Sequence, residues 1–380
     1  MRKSANRWVC SCLAMGLWLQ AWADPSAFSE DSVRNPSDPV EERPVVRRSW
    51  YPIPMAFYQE ETSVGFGVVG GYYFKSNSLH EISSITGSVI YTLRKQAKIH
   101  VNPRFYTRNG RLHFVGDLHL RYYPEKFYGV GAQQTNEGMD YISKAVSFRF
   151  QPFYRIRPDL EAGMVADFRA EMIPGGGTKA ERAAEMYGRR DVSGWEPYLA
   201  WGMGLQMMYD TRDNVAYPQR FSHFLKVGWI TYQQAWGSCC TMNSFSLDFR
   251  QFVPTWIGQV FAWQVCAEMR VGHNTPFGML PTLGGSDLLR GFREKTYTDN
   301  ALVAVQAEYR IPIWRRLKAA VFAGVGDVFD LYHPEFGHVE VGYGAGLRLR
   351  LNDARVHLRV DVAGNNEGQV KFYITATEAC

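Results

Sequence analysis

The chain has 380 residues and a formal net charge of +5, with 46% hydrophobic and 21% charged residues. Together with a mean hydropathy of −0.27, this composition excludes gross disorder and a bundle of membrane-spanning helices. The near balance of charges argues against nucleic acid as a partner, and 21 Tyr and 11 Trp are many for a cytosolic enzyme.

The amino terminus has the three-part pattern of an export signal. Residues 1–7 are basic, residues 8–19 are mostly apolar, and Ala21-Trp22-Ala23 forms a small-x-small cleavage site. This predicts a cleavable signal peptide over 1–23, and no later stretch approaches the ~18 uncharged residues of a membrane helix. Residues 24–48 combine four prolines with many charges, which predicts a disordered periplasmic arm.

From residue 49 to 380 the dominant hydrophobic period is two. In 301–313, for example, Val303 and Val305 fall on one face while Gln306 and Glu308 fall on the other. The strands are longer than the usual 5–6 residues of soluble sheets and match the ~9–11 that cross a bilayer. We therefore predict an all-β fold, a sixteen-stranded antiparallel transmembrane β-barrel. The predicted strands are 51–59, 62–75, 81–94, 97–108, 111–123, 140–156, 159–173, 195–210, 219–233, 242–254, 257–272, 301–313, 317–329, 339–351, 354–364 and 368–379.

The connections between these strands alternate in length, as in a barrel with both termini in the periplasm. Tight turns fall at Asn109-Gly110, Arg157-Pro158, Trp314–Arg316 and Asn352-Asp353. The long connections, 124–139, 174–194 and 273–300, all fall on the opposite side and are expected to be outer loops. Residues 178–190 of the fourth outer loop suggest a short helix, for which we prefer a solvated interpretation.

Two segments have a distinctive residue order. One is Tyr209-Asp210-Thr211-Arg212-Asp213-Asn214 followed by Tyr217-Pro218, at a predicted periplasmic turn. The other is Gly284-Gly285-Ser286-Asp287-Leu288-Leu289-Arg290-Gly291-Phe292, in the longest predicted outer loop. Together with the weaker signals of Phe127–Gly131 and Ala56–Glu61, they resemble the BamA/TamA family of outer-membrane assembly barrels, also called the bacterial surface antigen family, and the second segment is similar to that family's arginine-glycine-aromatic loop motif.

The resemblance implies that the long sixth outer loop, 273–300, folds toward the lumen. There Arg290, with Gly291 and Phe292, would pair with carboxylates of the barrel wall, in a charge-assisted bidentate contact. Glu308 has the matching position and parity on the next strand. The family also has an aspartate on a following strand, and in this chain Gly324 occupies that position. Asp327 lies three residues further along the strand, so its side chain would point to the opposite face. Without the resemblance, an ordinary solvated surface loop is an equally good interpretation.

Two departures from the family pattern concern the ends of the chain. The family usually carries periplasmic POTRA domains ahead of the barrel, whereas here only the 24–48 arm precedes it, so we expect a member lacking POTRA domains. Proteins of this kind generally finish in an aromatic residue, and Cys380 stands in that place.

Motifs for catalysis, cofactors and metals are not apparent. Gly65-Phe66-Gly67-Val68-Val69-Gly70 fits the dinucleotide glycine pattern but is followed by another strand-like stretch rather than a helix. The nine His show no zinc-binding spacing, and Ser286 lies outside any G-x-S-x-G elbow. Cys239 and Cys240 are adjacent, and we assign no disulfide. We therefore predict no enzyme, no cofactor and no metal site.

The leading hypothesis is an outer-membrane barrel that helps insert or translocate proteins, or lipids, at the Gram-negative outer membrane. Its expected partners are outer-membrane lipids, outer-membrane protein clients and periplasmic assembly factors. The alternative is a passive solute pore, tuned by charges on the inner faces of the strands. Those charges are Arg310, Arg348, Arg350, Arg359, Glu308, Glu340 and Asp361. A surface adhesin or antigen is a third hypothesis, based on the long outer loops alone.

Overall fold

A computed structural model describes most of the chain from residue 49 onward, and the predicted all-β class and antiparallel sheet are confirmed. The described residues are 49–59, 63–75, 82–131, 138–188, 192–214, 217–333, 339–350 and 357–375. The predicted signal peptide, the predicted arm and Cys380 lie outside them. No helix among the described residues is long and apolar enough to cross a membrane.

Eighteen strands and one α-helix form in the described residues. The α-helix, α1, is Gly176–Tyr187. The strands in chain order are β1 Ser49–Gln59, β2 Ser63–Lys75, β3 Ile82–Thr92, β4 Ala97–Tyr106, β5 Leu112–Phe127, β6 Met139–Arg157, β7 Leu160–Met172, β8 Tyr198–Asp210, β9 Ser222–Tyr232, β10 Met242–Pro254, β11 Val260–Gly272, β12 Thr282–Leu283, β13 Tyr297–Thr298, β14 Ala301–Trp314, β15 Leu317–Phe329, β16 Glu340–Arg350, β17 His357–Asn365 and β18 Val370–Thr375.

All strands except β12 and β13 join one antiparallel sheet in which neighbours in sequence are neighbours in space. The two-residue strands β12 and β13 pair with each other inside the loop between β11 and β14. Among the described pairings, none joins β1 to β18. Closure of the sheet as a sixteen-stranded barrel therefore stays a prediction.

The two faces of the sheet differ as the period-two pattern predicts. On β14, Val303 and Val305 are exposed on what we call the outer face, which in the described strands is lined by apolar side chains. Glu308 and Arg310 of the same strand are fully buried on the opposite, inner face. Alternating side chains point to opposite sides of a strand. The charged side chains of β14, Glu308 and Arg310, therefore both lie on the inner face, where other parts of the protein bury them.

Two apolar clusters lie on the inner side of the sheet rather than between stacked layers. One joins Leu283, Leu289 and Phe292 of the loop before β14 to Leu302 and Ala304 of that strand. The other, which we call the cap cluster, packs residues of the connections that follow β5, β7 and β11 together; its buried members are Phe127, Val130, Met139, Tyr141, Ile173, Ala183, Tyr187, Trp195 and Phe277.

Helix α1 is part of the cap cluster, so the expectation of a solvated helix is wrong. Ala183 and Tyr187 lie four residues apart, on one helical face, and both are buried in the cap cluster. The Tyr187 hydroxyl also donates to the Phe127 carbonyl oxygen at 2.7 Å. The helix ends at Gly188, whose φ of 69° is the left-handed conformation common after a last helical turn.

The cysteines of the described residues are free thiols, Cys239, Cys240 and Cys266. The sulfurs of Cys239 and Cys240 lie 3.6 Å apart in the connection between β9 and β10. A hydrogen bond from the neighbouring Cys240 thiol lowers the pKa of Cys239 to about 7.

An aspartate at position 183 should loosen the outer connections without unfolding the sheet. Ala183→Asp places a carboxylate in the cap cluster, where an unpaired buried charge is strongly unfavourable. We expect trypsin to cleave α1 at Lys179 and Arg182 much faster than in the wild type, as gel electrophoresis of timed samples would show. Ala184→Asp, on the partly exposed side of α1, is the matched control. Equal cleavage of both variants would contradict the packing described.

Candidate functional site

The loop 273–300 between β11 and β14 crosses the inner face of the sheet and positions Arg290 there. Gly291 has a φ of 120°, a backbone conformation that residues other than glycine rarely adopt. A Cβ atom at Gly291 would also lie 2.6 Å from the Gly364 carbonyl oxygen. The loop therefore approaches the backbone of β17 as closely as glycine alone allows.

The Arg290 guanidinium is buried between two carboxylates of different strands. Its Nη1 lies 2.9 Å from Glu308 Oε2 on β14 and 2.7 Å from Asp361 Oδ2 on β17. All three side chains are at most 1% exposed. The Phe322 ring of β15 covers one face of the guanidinium, 3.4 Å from centroid to Cζ, a cation–π contact. Arg290 thus pairs with two carboxylates of the wall, and it does so through one nitrogen rather than through the two nitrogens of a bidentate contact.

Three more guanidinium groups complete what we call the Arg290 network. Arg310 Nε contacts Glu308 Oε1 at 2.9 Å, and Arg348 Nη2 contacts Glu308 Oε2 at 2.9 Å. Arg348 Nη1 also pairs with Asp361, and Arg359 Nε lies 3.4 Å from the same carboxylate. Buried charges persist when they are paired and hydrogen-bonded. Loss of one carboxylate would leave several guanidinium groups poorly compensated.

The second carboxylate comes from Asp361, and Asp327 has the unsuitable parity that the sequence indicates. Asp327 pairs in register with Val303, whose side chain belongs to the outer face, whereas Asp361 lies two residues from Arg359 on the inner face of β17. Gly324, at the position of the family's aspartate, leaves room for the loop. A Cβ atom there would lie 3.3 Å from Leu289 Cδ1.

The wall that receives Arg290 is lined by glycine. A Cβ atom at Gly342 would lie 2.1 Å from the Arg290 carbonyl oxygen, and one at Gly346 would lie 1.9 Å from Asp361 Oδ1. No side chain larger than hydrogen fits at either position unless the loop or the network moves. The sequence signal for this wall is the alternating glycine of Gly342-Tyr343-Gly344-Ala345-Gly346.

Backbone contacts hold Gly291 and Phe292 beside β17 and β18. The Gly291 N–H donates to the Tyr373 hydroxyl at 3.0 Å, and that hydroxyl donates to the Phe292 carbonyl oxygen at 2.7 Å. Asn365 Nδ2 donates to the Gly291 carbonyl oxygen at 3.2 Å. The glycine-aromatic half of the motif is thus hydrogen-bonded to the last two strands.

The far part of the loop reaches the opposite region of the sheet. Lys295 forms an ion pair with Glu125 of β5, and burial lowers the pKa of Lys295 although the carboxylate opposes this. Phe277 packs edge-on against Phe127 at 4.9 Å between ring centroids. Since the same loop touches β5 and β17, the sheet curves strongly enough for distant strands to face each other.

The turn segment between β8 and β9 approaches the Arg290 network from the other end of the strands. Arg212 forms an ion pair with Asp210 at 2.7 Å, and Asp213 Oδ1 accepts a hydrogen bond from the Gln219 N–H at 2.9 Å. These contacts shape the turn. The fully buried Tyr217 of the same segment contacts the network, because the Arg310 guanidinium lies 4.8 Å from its ring centroid.

The sequence singles out Arg290, Gly291, Phe292 and Glu308 but does not connect them with Tyr217 or Phe322. Alternation assigns Arg310, Arg348, Arg359 and Asp361 to the inner face, as the charges of a possible pore. The structure brings all of these into one cluster, since the register of β14 to β17 aligns them. Of the weaker signals, Glu60 and Glu61 lie outside the described residues, and Phe127 belongs to the cap cluster.

A large antiparallel sheet with an apolar outer face, and a long loop bound to a charged inner face, is typical of outer-membrane β-barrel proteins. The model of the Omp85 superfamily domain matches residues 85–377, and the chain belongs to the Omp85 superfamily. Membership at this level points to the insertion or translocation of proteins as the function of the family, and to the Gram-negative outer membrane as its location.

Solved structures of BamA and CdiB have a similar fold. BamA from Haemophilus ducreyi lacking POTRA domains 1–3 is 12% identical, with a TM-score of 0.56 over 86% of this chain and 69% of that one. CdiB from Escherichia coli is 11% identical, with a TM-score of 0.55 over 86% and 61%. CdiB from Acinetobacter baumannii is 10% identical, with a TM-score of 0.53 over 85% and 57%. The chain thus spans less than two thirds of both CdiB chains, and no curated protein matches its sequence.

Neutralising Glu308 should destabilise the fold far more than neutralising an exposed glutamate. Glu308→Gln removes the buried negative charge that Arg290, Arg310 and Arg348 share and leaves Asp361 as the one carboxylate described beside these groups, which costs about 3–5 kcal/mol of unfolding free energy. Glu268→Gln is the matched control, because Glu268 is 36% exposed in its pair with Arg270 and such pairs contribute at most about 1 kcal/mol. Urea unfolding followed by tryptophan fluorescence measures both. Equal losses would show that the Arg290 network does not stabilise the fold.

Proposed function

We propose that the sheet closes as a sixteen-stranded barrel through contact of β1 with β18. A sheet edge exposed to lipid would leave backbone N–H and C=O groups without hydrogen-bond partners. The curvature that brings β5 and β17 to the same loop supports closure. In this barrel the inner face lines the lumen, and loop 273–300 is a plug held across it.

We infer that the protein assists insertion or translocation of proteins at the outer membrane, as a member of the BamA/TamA branch. The observation that carries this proposal is the buried bridge from Arg290 to Glu308 and Asp361, which fixes the loop to strands near the end of the sheet. The seam between β1 and β18 is then the place where the barrel opens to a client. Gly291 and Phe292 are hydrogen-bonded to Tyr373 of β18, so the loop contacts one side of that seam directly.

The remaining expectations belong to the same proposal. A signal peptide over 1–23 directs export, and the 24–48 arm lies in the periplasm, where assembly factors bind. The clients are unfolded outer-membrane proteins, and lipids surround the apolar outer face. The chain carries out no covalent chemistry.

The passive-pore alternative has less support, because most of the charges assigned to pore tuning are engaged elsewhere. Arg310, Arg348, Arg359, Glu308 and Asp361 belong to the Arg290 network and are fully buried. Side chains that are buried beneath the loop do not face a passing solute.

Single-channel conductance tests whether the loop plugs the barrel. The refolded wild type in a planar bilayer should give small, flickering currents, and Arg290→Ala should give large, unstable ones because the loop is released from the wall. Arg149→Ala removes an arginine of the inner face that pairs with Asp167 and is 46% exposed, so it should behave like the wild type. A large steady current that is the same in all three proteins would favour the passive pore.

An insertion assay tests the assembly role itself. Lipid vesicles containing the protein are mixed with a small outer-membrane barrel unfolded in urea, and its folding is followed by the shift in gel mobility of unheated samples. We expect faster folding than in empty vesicles, and slower folding with Arg290→Ala than with Arg149→Ala. No acceleration over vesicles containing an ordinary porin would refute the assembly role, even if the conductance shows a plug.

A further inference from the structure

Two histidines and an aspartate meet on the inner face of β4 and β5, outside the Arg290 network. His100 of β4 and His119 of β5 are direct cross-strand partners. Asp117 precedes His119 by two residues and so points to the same face. The two imidazole rings are stacked, with 4.0 Å between centroids and 8° between planes. The register of this one strand pair therefore creates the cluster, and residue spacing along the chain does not reveal it.

The three side chains converge on one point through the atoms that would bind a metal ion. His100 Nε2 and His119 Nε2 each lie 2.9 Å from the same oxygen, Asp117 Oδ1. One nitrogen from each ring and one carboxylate oxygen all lie within 4.8 Å of one another. Tetrahedral zinc with ligand distances near 2.0–2.1 Å separates its ligand atoms by about 3.3 Å. Small side-chain rotations would bring these atoms to that arrangement.

We propose that His100, Asp117 and His119 bind one divalent transition-metal ion of the zinc class on the inner face of the sheet. Two imidazoles with one carboxylate suit Zn²⁺, Ni²⁺ or Cu²⁺, whereas Mg²⁺ and Ca²⁺ require a mainly oxygen ligand set. The side chains are 36%, 34% and 40% exposed, so an ion reaches them from solvent. Three protein ligands leave a coordination position for water, as in open zinc sites. The pairing of β4 with β5, and not the spacing of the histidines along the chain, brings these ligands together.

A positively charged side chain near the cluster reduces the contribution of electrostatic attraction to metal binding. Lys226 of β9 is close enough to sense the charge of Asp117, and its Nζ donates to Gln151 Oε1 at 2.9 Å rather than to that carboxylate. A nearby ammonium group weakens the attraction of any cation. Binding therefore depends on coordination by the imidazole nitrogens, and ions that bind through charge alone should not occupy the site.

A bound ion would link β4 to β5 through side chains, in addition to the hydrogen bonds of the sheet. It would also place a fixed positive charge, with a bound water, on the inner face at a distance in sequence from loop 273–300. The three ligands come from this strand pair alone. The site is therefore the same whether the protein is an assembly barrel or a pore.

Titration with ZnCl₂ tests the site in the full-length protein, purified in detergent and stripped with EDTA. Calorimetry should detect one zinc ion for each wild-type chain, with no competition from excess Mg²⁺ or Ca²⁺. His100→Gln and His119→Gln should each weaken this binding at least about 100-fold, since removal of a partner beyond the ligands already costs 10–100-fold. His273 is an exposed histidine in loop 273–300, away from β4 and β5. His273→Gln is therefore the matched control and should bind zinc as the wild type does.

Two further measurements distinguish zinc at this cluster from zinc at the cysteine thiols or at scattered surface groups. Cys239→Ser removes the thiol with the lowered pKa and should leave the zinc stoichiometry unchanged; loss of binding in that variant would assign the metal to the thiols instead. Zinc should also raise the thermal unfolding temperature of the wild type, by linkage, but not that of His100→Gln. Gel mobility of unheated samples verifies that each variant is folded. Zinc binding that is absent, or equal in the wild type and both histidine variants, would overturn the proposal.

Discussion

The bridge of Arg290 between Glu308 and Asp361 is the contact on which the interior of this protein depends. A guanidinium group removed from water must keep its counter-charges, because an uncompensated buried charge costs several kcal/mol. The two carboxylates come from β14 and β17. The bridge therefore fixes the loop on the wall and also fixes the spacing of the strands that form this wall.

The surrounding structure is arranged so that this bridge can form. Glycine at positions 342 and 346 leaves space for the loop backbone and for the Asp361 carboxylate, and the Phe322 ring covers the guanidinium. From the other end of the strands, Tyr217 packs against Arg310. Loop 273–300 and the turn that contains Tyr217 therefore both contact the Arg290 network. A change in either segment affects the same buried ion pairs.

For an assembly barrel, such a cluster would join two requirements that otherwise conflict. The interior must stay closed to solutes, which a loop packed across it achieves, yet the seam must open to a client. Tyr373 of β18 holds the loop by hydrogen bonds to Gly291 and Phe292 rather than by ion pairs. Contacts of about 1 kcal/mol each break more readily than the buried bridge. Under the proposed mechanism, β18 can therefore move away from loop 273–300 while Arg290 stays bound to Glu308 and Asp361.

The sequence by itself determined the strands, their faces and the motif in the loop. Period-two alternation is a local property of the chain, so it assigned Glu308, Arg348 and Asp361 to the inner face without any knowledge of their neighbours. Helix formation near α1 was also visible locally. Its burial was not, because the partners of Ala183 come from connections distant in sequence.

Only the tertiary structure decided which of these side chains meet. Strand register and sheet curvature placed Asp361 beside Arg290, although Asp327 is nearer in sequence to the family's aspartate position. The same register stacked His100 on His119, where sequence spacing indicates no metal site. Contacts between strands depend on how many residues each connection contains and on how the sheet bends. Neither quantity is encoded in the period of a single strand.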